Sequence, residues 1–201
     1  MILRRLLEGV KKGFYVDVGA HHPMRFSNTY YFYKRGWSGI NIDATPGSMA
    51  AFEKFRPRDV NLELAIGEPG QERRFFLFDE PAFNSFNESR SREHDGSRST
   101  IRKEAVQRTR SLREILHERL PVDVAINFLS VDVEGMDLEV LQSNDWERFR
   151  PRIICVESIG KTVSALEGDA VYRFLSERGY ELYAKTANTL IFRECARNGR
   201  N

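Results

Sequence analysis

The chain has 201 residues, a net charge of +2 and an apolar share of 41%. That length suits a single core-forming domain spanning 1–201, and no apolar run approaches the ~20 residues of a membrane span. The near-zero net charge argues against general nucleic-acid binding. The amino terminus, MILRRLLEGVKKGF, is too charged for a secretory signal. Cys155 and Cys195 lack metal-ligand spacing. A reducing cytoplasm is therefore the expected compartment.

Apolar runs alternate with amphipathic stretches along the chain. Phe14–Val18 is a short apolar run carrying one acid, as a buried parallel strand would. Ser27–Lys34 is aromatic-rich and reads as a helix that Gly36 ends. Gly39–Asp43 reads as a second strand, and Gly47–Phe55 as a helix stopped before Pro57. Val60–Ile66 is a third strand, and Arg74–Phe78 is expected to pair back on it as a hairpin. Residues 79–107 are rich in Ser, Arg, Asn and Glu without periodicity, which predicts a flexible loop. From Arg90 to Arg113 there are eight basic residues against three acidic ones. That charge reads as a solvated face or as a lid attracting an anionic substrate.

Order returns at Ser111-Leu-Arg-Glu114, which has capping-box spacing. Ala125–Asp132 is a fourth main strand, Gly135–Gln142 a helix and Arg152–Glu157 a fifth strand. Ser164-Ala-Leu-Glu167 repeats the capping-box spacing before another helix. Tyr180–Lys185 and Asn188–Phe192 read as a closing hairpin. The alternation predicts an α/β fold with a mostly parallel sheet, helices on both faces and an antiparallel strand at the carboxyl end.

Four acids fall at predicted strand ends: Asp17, Asp43, Asp132 and Glu157. A core strand has no use for an unpaired carboxylate, because burying one is costly. Ligands of open α/β sheets bind at those ends, so four acids there point to a ligand cleft. A dinucleotide site needs G-x-G-x-x-G to admit a pyrophosphate. Here Gly19 stands alone, followed by Ala20-His21-His22-Pro23. A phosphate-free cation such as S-adenosylmethionine fits better. Asp17 suits its cationic end and Asp43 its ribose hydroxyls.

The segments Phe14–Ser48, Glu63–Gly67, Phe128–Trp146, Arg150–Ser158 and Lys185–Phe192 resemble the FkbM family of methyltransferases. The resemblance implies a Rossmann-like class I fold with a seven-stranded sheet and S-adenosylmethionine as cofactor. It implies O-methylation of a hydroxyl on a sugar, glycan or natural product, with a small-molecule or saccharide acceptor as partner. It carries Asp17, Gly19 and Asp43 as cofactor contacts, with Ala20 and Ala44 beside them, and Ala65 and Ile66 as walls of an adenine pocket. Family members usually have a helix before the segment at Ile2–Arg5. The start at Met1 therefore predicts a shortened amino end or a more open site.

A hydroxyl acceptor must lose its proton, so a base or a metal is expected. Asp132, Glu134 and His21 are the catalytic candidates. Asp132, Glu134 and Glu157 together also suit a hard divalent ion such as Mg2+. The plainer alternative is that Asp132 and Glu134 only cap the following helix. His22, Asn28 and Glu157 are candidate acceptor contacts. Two other functions stay open at this point: a non-catalytic cofactor-binding protein, and an N-methylating enzyme. The second lacks the Asn/Asp-Pro-Pro-Tyr type of segment after the fourth strand.

Overall fold

A computed structural model describes residues 2–160 and 162–195. Met1, Lys161 and residues 196–201, which the expected 1–201 domain also takes in, lie outside the described residues. In chain order the elements are α1 (Ile2–Leu6), β1 (Phe14–Val18), α2 (Tyr30–Tyr33), β2 (Ser38–Asp43), α3 (Met49–Phe55), β3 (Val60–Glu63), β4 (Ala65–Ile66) and β5 (Glu72–Phe78). They continue as α4 (Glu88–His94), β6 (Ile101–Arg110), α5 (Leu112–Arg119), β7 (Phe128–Val131), α6 (Asp137–Gln142), β8 (Ile153–Glu157), α7 (Ala170–Ser176), β9 (Tyr180–Lys185) and β10 (Thr189–Glu194).

Among the described residues the main sheet has seven strands in the order β3-β2-β1-β7-β8-β10-β9. β3, β2, β1, β7 and β8 run parallel, and β10 is antiparallel to both neighbours. This is the Rossmann-like, mostly parallel arrangement with an antiparallel strand near the carboxyl end expected above. The central strands read as continuous apolar runs because both faces are covered. Phe14, Val16 and Val18 of β1 join one core cluster with Leu129 and Val131 of β7 and Ile154 and Val156 of β8. Tyr15, Phe128, Ile153 and Cys155 join the opposite cluster with Phe32 and Trp37. The period of two therefore places Asp17 and Ser130 on the second face. Cys155 is a free buried thiol, and burial pushes it up to about 12.

The expected third strand is broken at Leu64, whose N–H donates to the Asp43 carbonyl. β4 leaves the main sheet there and pairs with β6. β5 does not pair back on β3, as expected from the turn between them, but runs antiparallel to β6. The expected loop over 79–107 instead carries a 3-10 turn at Pro81–Phe83, helix α4 and most of β6. Sequence reasoning misses β6 because its sheltered face is carried by Ala105, Gln107 and Thr109 rather than by large apolar residues, while Arg102, Glu104, Val106 and Arg108 face solvent. The Asn87 side chain caps α4 by accepting from the Arg90 N–H at 3.0 Å.

Other boundaries differ for local reasons. α2 is shorter than the expected Ser27–Lys34, because the Ser27 hydroxyl accepts from the Thr29 and Tyr30 N–H groups and holds a turn there. The Ser111–Glu114 capping box is present as expected. The Ser164–Glu167 box is not. That stretch is a 3-10 turn, and Asp169 caps α7 through the Tyr172 N–H. α6 starts at Asp137, not Gly135, because Glu134 (φ 53°) and Gly135 (φ 97°) are left-handed. No helix of the described residues is long and apolar enough to cross a membrane.

Candidate active site

The carboxyl ends of β1, β2 and β7 open into one cavity of about 220 Å³. Asp17, Gly19, Ala20, His21, Asn28, Asp43, Ala44, Asp132 and Glu134 all line it. The β5–β6 segment supplies the far wall with Phe75, Pro81, Ala82, Asn84, Ser85 and Phe86. The volume is below the ~300–1,000 Å³ of sites that bury a whole drug-sized ligand. Phe26 stands at the cavity mouth, 95% exposed and in a left-handed conformation with φ 58°.

Asp17 is buried and accepts from the Thr29 hydroxyl at 2.8 Å. Burial pushes its carboxyl above the usual range, and hydrogen bonds from Thr29 and Ser130 and the Arg56 charge oppose that rise. Gly19 has φ 80°, and a Cβ there would lie 1.8 Å from the Asp132 carbonyl oxygen. The glycine is thus required by the close approach of two strand ends, independently of any ligand.

Asp43 is held by backbone. One carboxylate oxygen accepts from the His21 N–H and the other from the Thr45 N–H, each at 2.8 Å. Each oxygen has two lone pairs, so each retains one acceptor site. The neighbouring chain is tied to the β5–β6 segment. Asn84 donates to the Thr45 hydroxyl at 3.0 Å and Gln107 to the Ala44 carbonyl at 2.8 Å.

Asp132, Glu134, Glu157 and Asp137 crowd together beyond the end of β7. Burial raises the pKa of each, and mutual repulsion raises it further for Asp132, Glu134 and Glu157. Asp132 is nonetheless reached by solvent from the cavity. The Arg90 guanidinium of α4 opposes all four shifts. It lies 2.8 Å from a Glu134 oxygen and 3.8 Å from a Glu157 oxygen. The two left-handed residues after Val133 aim Glu134 at this group, and the Ser85 hydroxyl donates to the Glu134 carbonyl at 3.2 Å.

Asp132, Glu134 and Glu157 offer ligand atoms within 4.8 Å of one another. Their oxygens suit a hard cation such as Mg2+. Arg90 already pairs with two of the three, so a divalent ion would have to displace it.

Not every expected residue lines the cavity. Glu157 borders the acid cluster but lies outside the lining. The His22 ring nitrogen accepts from the Met24 and Arg25 N–H groups at 3.0 Å, which turns it away from an acceptor and into its own loop. Ala65 and Ile66 are buried against β6 and do not wall the cavity, because β4 has left the main sheet. His21 does line it, in a left-handed conformation with φ 52°. Asn28 lines it too, donating to the Ser130 hydroxyl at 3.1 Å. Sequence reasoning missed Phe26, Thr45, Ser130, Arg90 and the Phe75–Phe86 wall. The only sequence signal for Arg90 was its place in a basic run.

A Rossmann-like sheet brings acids at the ends of β1, β2 and β7 around one cavity. The Methyltransferase FkbM domain matches residues 17–182. The chain belongs to the FkbM methyltransferase family, and it is a methyltransferase. No curated protein matches it in sequence. Among solved structures it is similar to precorrin-6y C5,15-methyltransferase from Geobacter metallireducens GS-15, at 13% identity and a TM-score of 0.48. That likeness covers 97% of this chain and 86% of the other.

Proposed function

We propose that the protein transfers the methyl group of S-adenosylmethionine to a hydroxyl of a small-molecule or saccharide acceptor. The observation that supports this reading is the single cavity joining Asp17, Gly19 and Asp43 at one end to Asp132 and Glu134 at the other. Asp43 receives the ribose diol, one hydroxyl on each remaining lone pair. Asp17 faces the ammonium end of the cofactor, with Ala20 and Ala44 packing beside it. The acceptor enters over Asp132, with Asn28 within reach.

In the transfer the acceptor oxygen forms a bond to the methyl carbon as the carbon–sulfur bond breaks. The bonding pair stays on sulfur, which becomes a neutral thioether. The acceptor proton passes to Asp132, the nearest unpaired carboxylate of the cavity. Its raised pKa makes it a stronger base than an ordinary aspartate while leaving a deprotonated fraction near neutral pH. Glu134 and Arg90 hold the cluster in place, and His21 is the alternative base. Much of the acceleration comes from aligning donor and acceptor.

The test is calorimetry with S-adenosylmethionine, S-adenosylhomocysteine and NAD, on the chain and on Asp43→Ala. The first two ligands bind and NAD does not. Losing two hydrogen bonds to a charged group weakens binding by about 100-fold in Asp43→Ala. Chelation of divalent ions changes neither affinity. An intact chain that binds neither adenosyl ligand overturns the reading.

A further inference from the structure

On the face of β1 opposite the larger core cluster lies a buried charge network whose central pair, Arg56 and Asp59, reaches no solvent and does not line the cavity. The Arg56 side chain, after α3, and the Asp59 side chain are both 0% exposed, with the Arg56 Nε 2.9 Å from Asp59 Oδ2. Asp59 also accepts from the Tyr15 hydroxyl at 2.7 Å, the Asn41 amide at 2.9 Å and the Gly39 N–H at 2.9 Å. The carboxylate therefore holds four donors, three of them on Oδ2. Arg56 uses its other nitrogens on the Tyr15 hydroxyl at 2.7 Å and the Thr29 hydroxyl at 2.9 Å. It also donates to the Pro23 carbonyl and the Ser27 hydroxyl, each at 3.4 Å.

Thr29 completes a relay. Its hydroxyl has one hydrogen and accepts from Arg56, so the hydrogen goes to Asp17 Oδ2 at 2.8 Å. An arginine cannot accept, so the direction of the chain Arg56 to Thr29 to Asp17 is fixed. The same guanidinium ties down both ends of the Pro23–Thr29 loop, which contributes Phe26, Ser27 and Asn28 to the cavity. In ionised form the group counts two carboxylates, Asp17 and Asp59, against one guanidinium. One negative charge is left over, and only Asp17 faces the cavity. A buried charge persists when paired, and a cationic ligand end supplies the missing partner.

We infer that Arg56, acting through Thr29, is the positioning residue for the cofactor's ammonium end: it fixes the Asp17 carboxylate and the Pro23–Thr29 loop without touching the cavity. The inference rests on the cofactor reading above and adds a residue pair to it. It makes the Asp17 end separable from the Asp43 end, where backbone alone holds the carboxylate.

The experiment compares S-adenosylhomocysteine, which carries the ammonium, with 5′-methylthioadenosine, which lacks the amino-acid portion. Both are titrated into the chain, Thr29→Val, Thr29→Ser and Arg56→Lys, with thermal melting beside each. Thr29→Val keeps the shape and removes the hydroxyl. It weakens S-adenosylhomocysteine about tenfold, the worth of one hydrogen bond to a charged group. It leaves 5′-methylthioadenosine within about twofold, because the nucleoside end is held independently of this relay. Thr29→Ser restores the S-adenosylhomocysteine affinity. Arg56→Lys retains the charge but not the forked geometry, and shows the same selective loss. Equal losses for both ligands, or no loss in Thr29→Val, overturn the inference while leaving the cofactor reading standing. A wild-type chain that binds neither ligand overturns both.

Discussion

Arg56 and Arg90 both pair with carboxylates, one enclosed behind the cleft and one beside it, and they do so in different ways. Arg56 is fully enclosed, and its carboxylate partner holds four donors. Arg90 is 29% exposed, pairs closely with Glu134 alone and faces four acids at once. The first group is balanced apart from the charge on Asp17. The second is short of positive charge, and burial with mutual repulsion raises the pKa of its acids. A balanced buried group fixes geometry. A deficient, solvent-reached group can take up and release a proton, which is what the acceptor end of a transferase requires.

Removing each arginine tests the contrast most strongly. Arg56→Met leaves Asp59 buried and unpaired, which costs about 3–5 kcal/mol. For a chain of this size that lowers the melting temperature by on the order of 10 °C. Arg90→Met breaks a partly exposed pair and costs about 1 kcal/mol or less. Equal losses in thermal melts would erase the distinction.

Turnover reverses the ranking at the acid cluster. Arg90 lowers the pKa of Asp132 and Glu157, so its removal raises them further. A base that stays protonated to higher pH moves the rising limb of the rate profile upward. Arg90→Met therefore turns over about tenfold more slowly at neutral pH and recovers part of that loss in alkali. A profile of unchanged shape argues that Arg90 only packs.

The acid cluster also leaves a signature in stability. Glu157 has a folded pKa raised to about 8, above its unfolded value. Between those two values the native state binds more protons than the unfolded chain. Stability therefore falls as pH rises through that window. Glu157→Gln removes the penalty. Its melting temperature should exceed that of the wild type at pH 8–9 by a few degrees, at about 2–4 °C per kcal/mol, and the gap should close near pH 5. A gain independent of pH would show that packing, not charge, limits the site.

The two ends also differed in how readable they were. The floor was legible because burying a carboxylate at a strand end has few explanations, and Asp17, Asp43 and Asp132 all line the cavity. The main sheet was legible because its strands are covered on both faces and read as apolar runs. The wall was not. β6 shelters its inner face with Ala105, Gln107 and Thr109, so IRKEAVQRTR shows no apolar alternation although its burial does alternate. Arg90 reaches Glu134 across 44 positions in sequence, and no local rule reports such a pairing. His22 looked like a ligand-facing histidine, but the turn at Pro23–Arg25 takes its ring nitrogen. Arg56 escaped notice because Arg-Pro-Arg-Asp after a helix reads as a charged surface turn, whereas the fold buries its first and last residues.

The mouth of the cleft extends the comparison to a residue with almost no structural duty. Phe26 is 95% exposed, and its φ of 58° holds a bulky side chain in a region that usually favours glycine or asparagine. Nothing in the core gains from the ring, so Phe26→Ala should leave stability within about 0.5 kcal/mol. Yet Arg56 pins both ends of the loop that presents it. A single exposed hydrophobe is ordinary, but this one borders the cavity, where a ligand could cover it. An aromatic contact of this kind is worth about 0.5–1.5 kcal/mol beyond the area it buries. Phe26→Ala should therefore weaken S-adenosylhomocysteine or the acceptor by about three- to tenfold, read by titration and by KM. Loss of affinity for S-adenosylhomocysteine assigns the ring to the cofactor. A raised KM for the acceptor alone assigns it to the second substrate. A variant unchanged in both, with the melting temperature also unchanged, would remove the ring from the site and leave its exposed placement without a function.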